Sequence, residues 1–564
     1  MCGIFAAYSP AGDIQVESVT RALAELNHRG PDFNDYYVSA DRKVALGHTL
    51  LAIADAAEFS GQPIQFEHLQ MTYNGEIYNV SDVRKDLISR GATVTTVSDS
   101  ELLIKAIYYF GLEYLKKITG CYAFVVFDSR QGELYFGRDP YGEKQLVWTQ
   151  TDSGAVVISS ESKALKHVPG VQLRTNIKRV WQDFIFGFYS PRDETYFESI
   201  HNAEPGVIFS VDAMGKVSEH MKIDSSVLLP YSDEALLGAL SCAVKNQIPE
   251  RYPSAVILSG GLDSSIITSL LDEQCTHIQA FTAYHEGTVS ADFSSAEKLV
   301  STLSNTTLQP VCVTPDEGAD LFSKVTYSLE EPLLDQVYIS QYLLYRSVSQ
   351  QGLRVAMNGQ GADEFWCGYN QHYDFPTQSQ AILNHRWHGY YFQKAIDSGL
   401  GLMLTEREIK TLIEEHLPDA RGKEPLEVLT DFSIKNHLRA MLCHEDRLSM
   451  ASSVEVRLPF LDRHVTSLAL HLAAKAKVVD GVEKMPLRRA FADRLPPEIS
   501  QRRKLAFPDA PAKNYSEILA SNINANFFDG LFSHEDFKRF EVDGKSPWAM
   551  FGVNAFDNVL CRRS

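Results

Sequence analysis

Through the first ~200 residues the apolar positions come in short blocks separated by turn signals, a pattern of strands with few long helices. Residues 121–127 (CYAFVVF) are apolar at successive positions, which predicts a strand covered on both faces. Residues 129–132 (SRQG) supply a turn, and residues 133–137 (ELYFG) return as a second strand. Upstream, residues 101–117 place Leu102, Leu103, Ala106, Ile107 and Phe110 on one helical stripe that can lie on such a sheet. The sum is a set of layered sheets with helices outside.

After about residue 225 the rhythm changes. Short apolar strands at 255–258, 278–284, 308–313 and 353–358 alternate with helical stretches at 264–274, 294–304, 320–329 and 339–350. Strands alternating with helices predict parallel pairing through right-handed crossovers. Beyond residue 376 the pattern is mainly helical, and the stretch 224–231 is the expected linker. Two domains are therefore expected, over residues 1–215 and 225–564. The overall class is α/β.

Composition narrows the function classes. The 564 residues carry 53 Lys+Arg against 72 Asp+Glu, a formal charge of −19. That balance argues against a general nucleic-acid or anionic-membrane binder, although a local basic site for a small anion remains compatible with it. Eight cysteines without a CxxC pair predict neither a zinc ribbon nor a disulfide framework, but reduced thiols. No basic leader precedes Arg21 and no apolar run approaches 18 residues, so a soluble, cytoplasmic protein is expected.

Candidate chemistry begins at Cys2. A small residue after Met commonly permits Met removal, which would leave a thiol and a free α-amine on one residue. An amine of pKa about 7.7–8.0 can serve as local base for a thiol of about 8.5. Three segments join it: 27–32 (NHRGPD), 74–79 (NGEIYN) and 98–101 (SDSE). Asn74 can offer its side-chain amide, and Gly75 its backbone N–H, to an oxyanion. With the CGI start, these segments resemble the glutaminase domain of class II, N-terminal-nucleophile amidotransferases. The resemblance implies an αββα layered fold and assigns Asp99 to the glutamine α-amino group. Glu76, Asn74 and Arg29 are the further glutamine-binding candidates.

A second constellation is Ser259-Gly260-Gly261-Leu262-Asp263-Ser264-Ser265, set between a strand and a helix. Glycines allow close backbone approach and a helix N-terminus favours an anion. The loop is not a Walker A sequence; it resembles the pyrophosphate loop of enzymes that split ATP into AMP and pyrophosphate. Its partner is Gly359-Gln360-Gly361-Ala362-Asp363-Glu364, again after a strand. Asp263 and Asp363 both fall at carboxyl ends of parallel strands, where such sheets place ligands. Mg2+ commonly takes one or two carboxylates plus substrate phosphates, which suits this pair as metal ligands.

Residues 455–462 (EVRLPFLD) and 483–488 (EKMPLR) complete a motif order similar to the glutamine-hydrolysing asparagine synthetase family. The resemblance implies a doubly wound ATP-pyrophosphatase domain with a helical C-terminal part. It places Lys484 on the phosphate groups during acyl-adenylate formation, Gln360 in the catalytic loop, and Leu258, Thr282 and Gly359 on ATP.

The chain departs from that pattern at three places. The family's His-x-Arg-Leu segment, whose arginine clamps the glutamine carboxylate, reads His48-Thr49-Leu50-Leu51 here, and Arg29 is the nearest motif cation. Gln360 stands where several relatives carry glutamate. Gln336, Val337 and Tyr338 replace the small hydroxyl residues that commonly follow an EP-x-x-D frame such as residues 331–335. The expected function is a glutamine-dependent asparagine synthetase acting on glutamine, ATP and a carboxylate, aspartate by default. The alternatives are another small carboxylate, an intramolecular amide former resembling β-lactam synthetase, and a nucleotide-sensing pseudoenzyme. The sequence leaves a homodimer open.

Overall fold

The computed structural model describes residues 2–53, 61–96, 98–187, 189–190, 193–224, 226–227, 229–288, 290–369, 372, 380–418, 424–503, 531–533, 535–536 and 548–562. Twelve strands of the N-terminal part are β1 (Cys2–Tyr8), β2 (Phe33–Val38), β3 (Val44–Leu50), β4 (Ile64–Phe66), β5 (Leu69–Ile77), β6 (Gly120–Asp128), β7 (Glu133–Arg138), β8 (Val147–Gln150), β9 (Val156–Ser159), β10 (His201–Asn202), β11 (Val207–Val211) and β12 (Val217–Lys222). They form two antiparallel six-stranded sheets, ordered β10-β8-β9-β1-β3-β2 and β12-β11-β7-β6-β5-β4.

Alternation along the strands decides the layers. Ile4, Ala6, Leu46, Ala123, Val125 and Phe136 fill the space between the sheets. Tyr122 and Phe124, the opposite face of β6, pack with Leu102, Leu103, Ala106 and Ile107 of the helix Asp99–Phe110. On the other side Phe5 and Ala7 pack with Val19 and Leu23 of the helix Val16–Glu25. The αββα expectation holds, and β6 is indeed covered on both faces. The single helix expected over 101–117 is instead broken. Gly111, at φ +76°, ends the helix Asp99–Phe110, and a 3-10 helix, Leu112–Lys117, follows.

The C-terminal part carries a five-stranded, wholly parallel sheet of β13 (Ser254–Ile257), β14 (Ile278–His285), β15 (Thr306–Val313), β16 (Val355–Met357) and β17 (Glu455–Arg457). Its order, β15-β14-β13-β16-β17, runs outward in opposite directions from β13 and β16, so the topological switch point lies between those two strands. The helix expected at 294–304 begins earlier, as Ala291–Val300, because the Ser290 side chain caps the Phe293 N–H. The helix Pro315–Leu329 likewise starts before the expected 320, with Thr314 accepting from the Glu317 N–H and Pro315 in the first turn. Among the described residues, no helix is long and apolar enough to cross a membrane.

Strand β17 was not legible as a strand. Its Glu-Val-Arg pattern reads as an exposed edge, yet all three residues are buried. Burial becomes tolerable because the Arg457 Nε donates to Glu455 Oε1 at 2.6 Å, so the two charges enter the interior as a hydrogen-bonded pair.

Candidate active site

Cys2 opens β1 and pairs in register with Leu50 of β3. Its backbone N–H donates to Asn74 Oδ1 at 2.8 Å, which ties the start of β1 to β5 in the facing sheet. Burial pushes the thiol up, while the chain-terminal amine and the Leu51 N–H pull it down. Asn74 is fully buried, and its Nδ2 has no hydrogen-bond partner among the described residues. A buried amide donor left open beside a thiol is an unmet cost unless an acceptor enters the site. At Gly75 an added Cβ would stand 2.2 Å from the Cys121 carbonyl oxygen, so only glycine lets β5 approach β6 this closely.

Residues 74 and 76 share one face of β5 by strand alternation, the face turned to β1. Glu76 there lies 3.2 Å from Arg457 Nη2, a residue of the distant strand β17. Asp99, at the start of its helix, accepts from the Ile77 N–H at 2.6 Å. Burial raises the Asp99 carboxyl well above the usual range, and the charge of Glu76 adds to it. Glu76 is also raised, by burial and by Glu455, with Arg457 opposing. Two acids therefore share this end of β5, one of them already paired with Arg457.

Arg29 is turned to other partners. Its Nε donates to the Cys2 carbonyl at 3.2 Å, Nη1 to Glu161 at 2.9 Å, and Nη2 to both oxygens of Asp446 at 3.2 and 2.9 Å. The guanidinium is fully buried and committed to protein acceptors. The expectation that it stands in for the missing clamp at Leu50 is corrected on this geometry.

The second site lies at the switch point. The loop 259–261 leads into the helix Leu262–Gln274, whose N-cap, Gly261, makes no side-chain cap. Its open N–H groups suit a phosphate. Ser264 Oγ meets the Ser259 N–H at 3.2 Å and the Ser259 hydroxyl at 3.1 Å. Ser265 Oγ is buried without a partner among the described residues. Gly260, at φ +69°, has no room for a Cβ, which would fall 2.3 Å from the Asp292 carbonyl oxygen. The Thr282 hydroxyl donates to the Leu258 carbonyl, joining the ends of β13 and β14.

Lys484 organises the site. Its Nζ lies 2.6 Å from Asp263 and 2.6 Å from Asp363, so one ammonium draws both carboxylates together across the crevice. The residue itself adopts φ +56°, a left-handed conformation unusual for a side chain of this size. A Cβ on Gly359 would lie 2.8 Å from the Asp263 Cβ, which shows how tightly the two loops touch. The Gln360 N–H is held by Asn358 Oδ1 at 2.9 Å, and Asn358 Nδ2 in turn reaches the buried carboxyl of Glu445 at 2.7 Å. Among the described residues no cluster of three or more side chains is built to hold a metal. Two carboxylates beside a phosphate loop do fit a Mg2+ whose remaining ligands are phosphate oxygens.

Sequence reasoning passed over some participants. A cavity of about 110 Å3 beside Asp263 and Lys484 is also lined by Arg488, Arg502 and Arg503. Arg502 donates to the Gly260 carbonyl at 2.9 Å and pairs with Asp292. The basic run at 502–504 was the available signal. Arg457 lay inside a motif already noted, but nothing in the sequence pointed it toward Glu76. At the acceptor segment, Val337 N–H donates to Asp335 at 2.9 Å, while the Tyr338 ring packs edge-on against His444 at 4.7 Å.

A family model described as "Glutamine amidotransferase domain" matches residues 1–221, and one described as "Asparagine synthase" matches residues 235–543. The chain is 25% identical to "Asparagine synthetase [glutamine-hydrolyzing] 1" of Bacillus subtilis (strain 168), covering 90% of this chain and 87% of that protein. It is 27% identical to "Asparagine synthetase [glutamine-hydrolyzing] 1" of Arabidopsis thaliana, covering 95% and 82%. Among solved structures, a glutamine phosphoribosylpyrophosphate amidotransferase from B. subtilis complexed with ADP and GMP matches at 15% identity, with a TM-score of 0.32, over 55% of this chain and 91% of that one. With an asparagine synthase match spanning more than half its length, behind an amidotransferase match, the chain belongs to the asparagine synthase family.

Proposed function

We propose that the chain is a glutamine-dependent amide ligase, in which residues 1–215 release ammonia and residues 225–564 consume it. The reading is carried by one pairing: a buried Cys2–Asn74 couple with an open amide donor, and a lysine-bridged aspartate pair at a phosphate loop.

At the first site the Cys2 thiolate attacks the glutamine carboxamide carbon. Its α-amine, freed once Met1 is removed, takes the thiol proton and returns it to the leaving ammonia. Asn74 Nδ2 and the Gly75 N–H donate to the oxyanion, and water then releases glutamate from the thioester. At the second site the serine-rich loop and Arg502 hold the ATP phosphates. Lys484 balances charge as the acceptor carboxylate attacks the α-phosphorus and pyrophosphate leaves. Asp263 and Asp363 would hold Mg2+, which when bound neutralises phosphate charge. Ammonia then displaces AMP from the acyl-adenylate.

Aspartate is the default acceptor. A different small carboxylate is the second reading, favoured by Val337 and Tyr338 beside Asp335. Incubation with amide-15N glutamine, ATP and a panel of carboxylates tests both. Equal yields of 15N amide, AMP and pyrophosphate are expected with aspartate. Pyrophosphate release with another acid but none with aspartate transfers the assignment, and no ATP-dependent pyrophosphate with any acid removes the ligase reading.

A further inference from the structure

ATP brings three phosphates to a cavity in which most cations already have partners. Lys484 Nζ lies 2.6 Å from Asp263 and 2.6 Å from Asp363. Arg488 pairs with the Glu483 carboxylate, donates from Nε to the Glu483 carbonyl at 2.8 Å, and donates from Nη1 to the Ser500 carbonyl at 2.6 Å. Arg502 pairs with Asp292 and donates to the Gly260 carbonyl at 2.9 Å, so it acts on phosphate through the loop it braces. A phosphate gains less from a cation whose charge is already matched, because an ion pair must first be broken or shared.

Arg503 is the exception. It lines the same cavity of about 110 Å3 and has neither an ion pair nor a hydrogen bond among the described residues. The chain that carries it is nevertheless anchored. The carbonyl of Arg502 accepts from Arg488 Nη2 at 2.9 Å, while the Arg502 side chain is tied to Gly260 in the phosphate loop. A guanidinium with a free fork, projecting from backbone fixed against that loop, suits two oxygens of one phosphate group. The cavity also has two ends. Lys484 is buried and is the group set against the α-phosphorus, whereas Arg503 is exposed. The phosphate tail therefore runs outward from Lys484 toward Arg503.

We propose that Arg503 binds the β- and γ-phosphates of ATP at the solvent end of this cavity. It holds them again as pyrophosphate, once the bond to the α-phosphate has broken and its electron pair has gone to the leaving oxygen. The proposal rests on the ATP-splitting reading of the Asp263–Lys484 site. It gives the leaving group a contact that AMP does not share.

Inorganic pyrophosphate and AMP are the probes, each titrated with Mg2+ into the full chain by calorimetry. Arg503→Gln should weaken pyrophosphate by about 5- to 10-fold, near the low end for a charged hydrogen bond because the side chain is exposed to water. AMP should lose less than about twofold, since a surface substitution leaves the rest of the fold in place. Arg503→Lys should retain part of the pyrophosphate affinity, as a point charge without the fork. The KM for ATP in ammonium-dependent pyrophosphate release should rise in Arg503→Gln by a factor comparable to the loss of pyrophosphate affinity. Unchanged pyrophosphate affinity in Arg503→Gln overturns the proposal. So does an equal loss for pyrophosphate and AMP, which is the mark of a disturbed loop. A wild-type protein that binds neither probe would overturn the ATP-splitting reading itself, and this proposal with it.

Discussion

The two candidate sites obtain their geometry in opposite ways. The Cys2 site is built on strands: Cys2 opens β1 and Asn74 sits within β5, each placed by register in its own sheet and joined by one hydrogen bond across the layers. The Lys484 site is built on loops at the carboxyl edge of a parallel sheet, and an ammonium between two carboxylates places them. A site held by register survives the loss of one side chain with its backbone intact. A site held by a salt bridge loses position and charge together. The charge balance differs too. The first site gathers Glu76 and Asp99 with Arg457 already paired to Glu76, whereas the second sets one ammonium between two carboxylates.

The largest test of that contrast is Cys2→Ala. Glutamine-dependent amide formation should disappear while ammonium-dependent synthesis continues, since only the source of nitrogen is removed; parallel assays with the two donors read this directly. Loss of both in a folded protein would mean that the sites are not separable. Lys484→Ala should lower pyrophosphate release by at least ~100-fold with either nitrogen source, because it removes charge aimed at the phosphates and unties both loops. Glutamine hydrolysis by that variant should stay within a few-fold of wild type, and an equal fall would contradict the loop-built account. Asn74→Ala removes one oxyanion donor and should cost about 10²–10³ in the kcat of hydrolysis. It also leaves the Cys2 N–H without its acceptor, so about 1–3 kcal/mol of stability should be lost with it, read as a lower melting temperature. A small kcat effect would show that the open Nδ2 faces no oxyanion.

The smallest effect concerns Glu445, which joins the second site through Asn358 and is held by the amides of Gln341 and Asn358, each at 2.7 Å. No cation pairs with it among the described residues, and burial pushes its carboxyl up to about 8. The unfolded chain releases that proton near pH 4.3. Between those values the native state binds the extra proton, so stability falls as pH rises through the window. Urea midpoints measured from pH 5 to 8.5 should fall less steeply for Glu445→Gln than for the wild type. Identical slopes would mean that Glu445 is ionised throughout.

What could be read from the chain follows the same division. Elements declared by apolar periodicity were legible: β6 with its two covered faces, the alternating strands and helices after residue 225, and the motif loops at 259–265 and 359–364. Boundaries slipped where a single residue overrides periodicity, as Gly111 does in ending a helix and Ser290 in starting one. The charged strand β17 stayed hidden because period-2 reasoning assigns Glu and Arg to solvent, whereas their pairing with each other, with Glu76 and with the Gln247 carbonyl lets them be buried. The fate of Arg29 was illegible for a related reason. Its motif context pointed to a ligand, while its acceptors, Glu161 and Asp446, lie far along the chain and carry no local signature.

Those acceptors have a consequence for how the protein is made. At roughly 5–20 residues per second on the ribosome, and with a separation of 417 residues, Asp446 follows Arg29 by about 20–80 s. Glu161 follows Arg29 by 132 residues, so through the later part of that interval the guanidinium has its first carboxylate but not its second. Arg29 also carries the hydrogen bond to the Cys2 carbonyl, so the backbone behind the nucleophile is secured last by a residue of the other domain. The last contact behind Cys2 therefore waits on the synthesis of Asp446.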